Sequence, residues 1–86
     1  MQEDEINFAK EVGKLIKRLR KENPKKYVMF CDENGIAPTT LDTLEKGVSS
    51  PKFYTVLRII GALNLSCEEF GKLVDKEIPK KLYISK

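Results

Sequence analysis

The sequence predicts an all-α domain: a compact bundle of five helices with a short C-terminal tail. Three observations predict it. Apolar residues recur at i, i+3 and i+4 spacing through most of the chain. Asn23-Pro24, Asn34-Gly35, Gly47, Ser50-Pro51 and Pro79 divide that pattern into helix-sized pieces. Start and stop residues stand where the pieces begin and end, the most complete being Ser66-Cys67-Glu68-Glu69, an S-x-x-E capping box.

In chain order, residues 1–5 are polar and expected to fray. From about Ile6 to Lys21 the residues Phe8, Val12, Leu15, Ile16 and Leu19 form one apolar stripe, with acids near the start and bases near the end as the helix dipole favours. A second segment runs from Lys25 or Lys26 to Glu33. Its apolar residues, Tyr27 to Cys31, are continuous rather than periodic, so a strand is the alternative; the flanking turns and the lack of a partner strand favour helix. The third helix, about 37–46, lies between two glycines. Pro38 suits a first helical position, Leu41 and Leu44 share a face, and Gly47 suits a left-handed stop. In the fourth, Ser50 reads as N-cap and Pro51 as first residue, with Phe53, Val56, Leu57, Ile60 and Leu63 inward and Gly61 as a place of close packing. The fifth follows Ser66 to about Lys76, with Leu65 and Phe70 at the spacing of a hydrophobic staple. The domain is therefore placed at 6–78 and the tail at 79–86. In the tail, Leu82 and Ile84 alternate with Lys81, Tyr83 and Ser85, which fits a short strand, a packed arm or a flexible end.

An 86-residue chain fits one small domain and leaves no room for a separate ligand-sensing one. Charged residues at 34% and apolar ones at 41% describe a globular chain rather than a disordered one. The net charge of +3 is too mild to name a partner, but it is unevenly spread. Residues 14–26 hold seven Lys or Arg against the single Glu22, a block that suits either a solvated face or a polyanion. Cys31 and Cys67 lack CxxC spacing, so no zinc or redox motif is present, and both are expected to be buried thiols. No metal, cofactor or small-molecule substrate is expected. With no histidine and no nucleophile beside a base, the chain does not read as an enzyme. The acidic start is unlike a signal peptide and Arg58 interrupts the longest apolar run, so a cytoplasmic protein without a membrane span is expected.

Leu19-Arg20, Gly35-Ile36, Leu44-Glu45-Lys46-Gly47, Pro51 and Ala62-Leu63-Asn64-Leu65-Ser66 occur in an order and spacing that resemble the lambda-repressor-like helix-turn-helix domain of the Cro/CI or XRE family. The resemblance covers about Val12 to Phe70. It implies that helices two and three form a helix-turn-helix and that helix three enters the major groove of duplex DNA. It implies base contacts from Pro38, Thr39, Thr40, Asp42 and Thr43. Phosphate contacts would come from Lys26 and Tyr27, from Lys46, and from the loop after helix three, with Ser49, Ser50 and Lys52. Lys25, beside helix two, is a further phosphate candidate. Arg20 and Glu45 match a pair that ties helix one to the end of helix three.

The departures from the family pattern are chemical. Tyr27 stands where many members carry glutamine, and it cannot copy an amide. The recognition face holds no Arg, Asn or Gln, the side chains that read guanine and adenine bidentately. Its threonines can meet a base edge or a thymine methyl. Asp42 can accept from cytosine but otherwise repels phosphate. Thr40 either joins the face, meets the core edge or caps the helix. The leading expectation is a sequence-specific DNA-binding transcriptional regulator, pairing as a homodimer through helix five and the tail at Leu82, Tyr83 and Ile84. The alternative is a protein-interaction module of the same fold, an antitoxin or adaptor with a protein partner.

Overall fold

The amphipathic stripe of the first helix forms one wall of a core to which every other helix contributes. The computed structural model describes residues 3–48 and 50–84. Among them are five helices and no strand: α1 (Glu3–Glu22), α2 (Tyr27–Asn34), α3 (Pro38–Lys46), α4 (Phe53–Ala62) and α5 (Cys67–Glu77), followed by a 3-10 turn at Lys80–Leu82. Val12, Leu15 and Ile16 of α1 meet Phe30, Cys31, Ile36, Leu41, Leu44, Ile59, Ile60, Phe70 and Ile78 in one buried core. No helix among the described residues is long and apolar enough to cross a membrane.

Helix α1 is longer than its apolar stripe. Glu3, Asp4 and Glu5, expected to fray, form its first turn, where their charges face the positive end of the helix dipole. Met1 and Gln2 lie outside the described residues. Part of the basic block is internally paired: Lys14 with Glu11 at 3.3 Å, and Arg18 with both oxygens of Glu77, its Nη2 at 2.7 Å from Oε2. The second pair pins α1 to the end of α5 and holds the Glu77 carboxyl below the usual glutamate range.

The strand alternative for residues 27–33 is not realised. Phe30 and Cys31 are buried in α2 while Val28 and Met29 face outward. Gly35 ends α2 at φ 63°, and its N–H and that of Ile36 bond back to Asp32 and Cys31. Pro38 opens α3 as expected, and Gly47 closes it at φ 66°. That glycine is required twice over, because a Cβ there would stand 2.6 Å from the Lys10 Cα.

Helix α4 departs from the sequence reading. It starts at Phe53 with Lys52 as N-cap, so Ser50 is not the cap and Pro51 is not the first residue. Proline fits an extended connection as well as a first turn, and here Pro51 bridges α3 and α4. The buried face carries Ile59 and Ile60, with Val56, Leu57 and Leu63 half-buried, while Phe53 is 77% exposed. Gly61 packs against nothing, contrary to the expected close contact. Lys52, Thr55 and Arg58 recur every third residue and mark the outer side of this helix, but Phe53 and Ile59 are both apolar and nothing local sorts one from the other.

Helix α5 follows its signals closely. Ser66 Oγ accepts from the Glu69 N–H at 3.0 Å and Glu69 Oε1 accepts from the Ser66 N–H at 2.9 Å, completing the capping box. Those bonds hold the Glu69 carboxyl below its ordinary value. Cys67 is exposed rather than buried, because the first residue of this helix lies at its outer end. The tail is a packed arm, not a strand: Leu82 packs against the core and the Tyr83 ring meets Phe8 edge-on, with centroids 5.6 Å apart. Ser85 and Lys86 lie outside the described residues.

Candidate functional site

Helix α3 has nine residues, too few to persist alone. Burying Leu41 and Leu44 contributes roughly 1.5–3 kcal/mol each. Close contacts along α1 hold the rest. Gly13, which the sequence reading did not single out, sits where a Cβ would be 2.5 Å from the Glu45 carbonyl oxygen and 2.6 Å from that of Leu44. Nothing larger than hydrogen lets α1 approach the end of α3 so closely. A lone glycine inside an amphipathic helix was the available signal.

Beside that contact lies the Arg20–Glu45 pair, as the resemblance implies. It is bidentate, with Arg20 Nε and Nη2 both donating to Glu45, the second at 3.0 Å. The side chains are only 13% and 7% exposed, so the pair is largely shielded from water and screens poorly with salt. The guanidinium also lies 4.7 Å from the centre of the Tyr27 ring. Tyr27 is half-buried, and its hydroxyl donates to the Pro38 carbonyl oxygen at 2.9 Å. Burial raises the Tyr27 hydroxyl above its ordinary value. The side chain expected to touch phosphate is thus turned onto the start of α3.

Arg58 is the second residue whose role the sequence did not reveal. From α4 its Nη2 donates to the carbonyl oxygens of Asn34, at 2.7 Å, and Gly35, at 3.3 Å. These are carbonyls at the end of α2 that helix geometry leaves unpaired. A single arginine within an apolar run was the only sign of it.

The outward face of α3 forms an open cleft with the approach to α4. Thr39, Thr40 and Thr43 line one side, and Ser50, Pro51, Lys52 and Thr55 the other. Thr40 therefore joins the outer face; it neither caps α3, whose N-cap is Ala37 without a side-chain bond, nor enters the core. Pro38 is exposed at the helix start. Asp42 and Lys46 are exposed and paired with each other at 3.0 Å. Lys26 is the exposed N-cap of α2, and Lys25 pairs with Glu33 at 3.1 Å. Ser49 lies outside the described residues.

A different surface lies across Pro51. Phe8 and Val12 of α1, Phe53, Val56, Leu57 and Ile60 of α4, and Cys67, Phe70, Gly71 and Val74 of α5 line an open apolar groove without one charged residue. No protein-family model matches the chain, and no curated protein matches it either.

Proposed function

We propose that the chain is a duplex-DNA-binding transcriptional regulator of the lambda-repressor-like helix-turn-helix kind, with α2 and α3 as the motif and α3 as the helix that enters the major groove. The observation that carries this reading is the polar cleft: a threonine-rich face on a short, firmly braced helix, bordered by Lys52 and by the hydroxyls of Ser50 and Thr55. Threonine hydroxyls and methyls suit base edges, and Lys26, Lys46 and Lys52 suit the flanking phosphates. Two copies would pair so that two α3 helices meet successive turns of the groove. Helix α5 is the better candidate for that pairing than the tail, since Leu82 is engaged with its own core.

The test compares two single substitutions on a duplex pool. Lys52→Ala should weaken binding to every sequence, and Thr39→Ala should change preference at one base pair. A palindromic consensus from random duplexes would support the dimer. Failure of the unaltered protein to bind any duplex at low salt would sink the regulator reading, because phosphate neutralisation is strongest there.

A protein-interaction module, an antitoxin or adaptor, is the second reading. The uncharged groove among α1, α4 and α5 favours it, as do the outward Val28 and Met29.

A further inference from the structure

We propose that Tyr27 is the positioning residue of α3: it sets the angle at which Thr39 and Thr43 are presented, and it does not serve as a phosphate ligand. The inference rests on the DNA-binding reading for its consequence, and on the geometry alone for its mechanism.

Four residues form a closed chain of contacts. Glu45, at the last turn of α3, is held by Arg20 of α1. Arg20 lies over the Tyr27 ring of α2. Tyr27 Oη reaches Pro38, the first residue of α3, at 2.9 Å. Both ends of α3 are therefore fixed through one stack. Leu41 and Leu44 anchor one face of the helix in the core, and the contacts of Gly13 and Gly47 with α1 hold its C-terminal end. The Tyr27 bond to Pro38 adds a restraint at the N-terminal end, where Thr39 stands. A carbonyl oxygen has two lone pairs, so the Pro38 oxygen can accept Tyr27 and still serve its helix. The Tyr27 hydroxyl has one proton, and it is committed within the protein. A neutral phenol already donating inward has no donor left for a phosphate oxygen. The contacts share members, so their effects on α3 are coupled rather than additive.

The experiment uses Tyr27→Phe, which keeps the ring under Arg20 and removes the hydroxyl, and Tyr27→Leu, which removes both. In the free protein, hydrogen exchange of the α3 amides should quicken about fivefold in Tyr27→Phe, the population change that one ordinary hydrogen bond supports. It should quicken further in Tyr27→Leu. Exchange in the core of α1 should quicken by no more than the same factor, which separates loosening of α3 from loss of the whole fold. On DNA, Tyr27→Phe should lower the ratio of preferred to random-duplex affinity by a similar factor. Its random-duplex affinity and its salt dependence should match those of the unaltered protein. Unchanged α3 exchange in both variants overturns the proposal. So does an equal loss of affinity on all duplexes with the ratio intact, the mark of a phosphate contact. If the unaltered protein binds no duplex, the DNA reading fails, and the exchange arm still decides whether Tyr27 holds α3.

Discussion

Two junctions of this bundle are built in opposite ways. Where α1 meets the end of α3, backbone touches backbone: Gly13 faces the carbonyls of Leu44 and Glu45, Gly47 lies against Lys10, and Arg20 closes one side onto Glu45. Where α4 meets α1 and α5, the side chains leave a groove open, Phe53 stands out at its edge, and Gly71 on the groove wall meets nothing within 4 Å. Both junctions are rich in apolar residues. The difference lies in what occupies the contact line: glycine directly opposite a carbonyl brings two helices to touching distance, whereas glycine facing a gap only removes filling. The closed junction holds a helix too short to stand alone. The open one leaves apolar surface available.

The sharpest way to break the closed side is Arg20→Ala. It strands the Glu45 carboxylate, 7% exposed, without its partner. Removing one member of a fully buried pair costs about 3–5 kcal/mol, and for this part-buried pair a loss of about 2–3 kcal/mol is expected. Urea unfolding should show that loss, and a value below about 1 kcal/mol would rank the pair with ordinary surface ion pairs. Next comes Gly13→Ala. Alanine is the better helix former by about 1 kcal/mol, so a net loss of about 2 kcal/mol measures the clash with α3. A raised melting temperature would mean that α1 and α3 separate without strain.

On the open side the sign should reverse. Gly61→Ala and Gly71→Ala each have free space for the added methyl and should stabilise by about 0.5–1 kcal/mol. Destabilisation by Gly71→Ala would show that the groove closes in solution. The smallest expected effect is at the α5 cap. The Glu69 carboxyl is held below its ordinary value of 4.5 by the Ser66 N–H. A depressed carboxylate stabilises the fold above its unfolded value, and that share is lost as pH falls through the lower folded value. Melting curves should therefore show Glu69→Gln less stable than the unaltered protein at about pH 6, with the gap closing toward about pH 3. A gap that stays constant would mean that the cap acts without its charge.

Local signals were legible where one residue decides one geometry. The Ser66–Glu69 box, Pro38 at the start of α3 and the glycine stops at Gly35 and Gly47 all act within a few residues of themselves. The partnership of Arg20 and Glu45 spans 25 positions and was readable only through family resemblance. The phase of α4 was readable in the main, since Val56, Leu57, Ile60 and Leu63 all lie on the core side; what was not readable is that Ile59 goes inside and Phe53 stays out, because the two are equally apolar. The same holds for Gly13, whose need for hydrogen depends on a carbonyl 32 residues away. As for the cleft, the sequence indicated Thr39, Thr40 and Thr43, but the engagement of Tyr27 with Pro38 and of Asp42 with Lys46 is set by side-chain rotamers that the sequence does not carry.

The contrast between the two cysteines gives the molecule a clock of its own. Cys67 is open to a thiol reagent in the native state, whereas Cys31, 1% exposed in α2, is reached only when that helix lifts. In one labelling reaction the first thiol would report the reagent and the second the opening. The lag between them would time how often the α2 side of the brace lets go, without any added probe group.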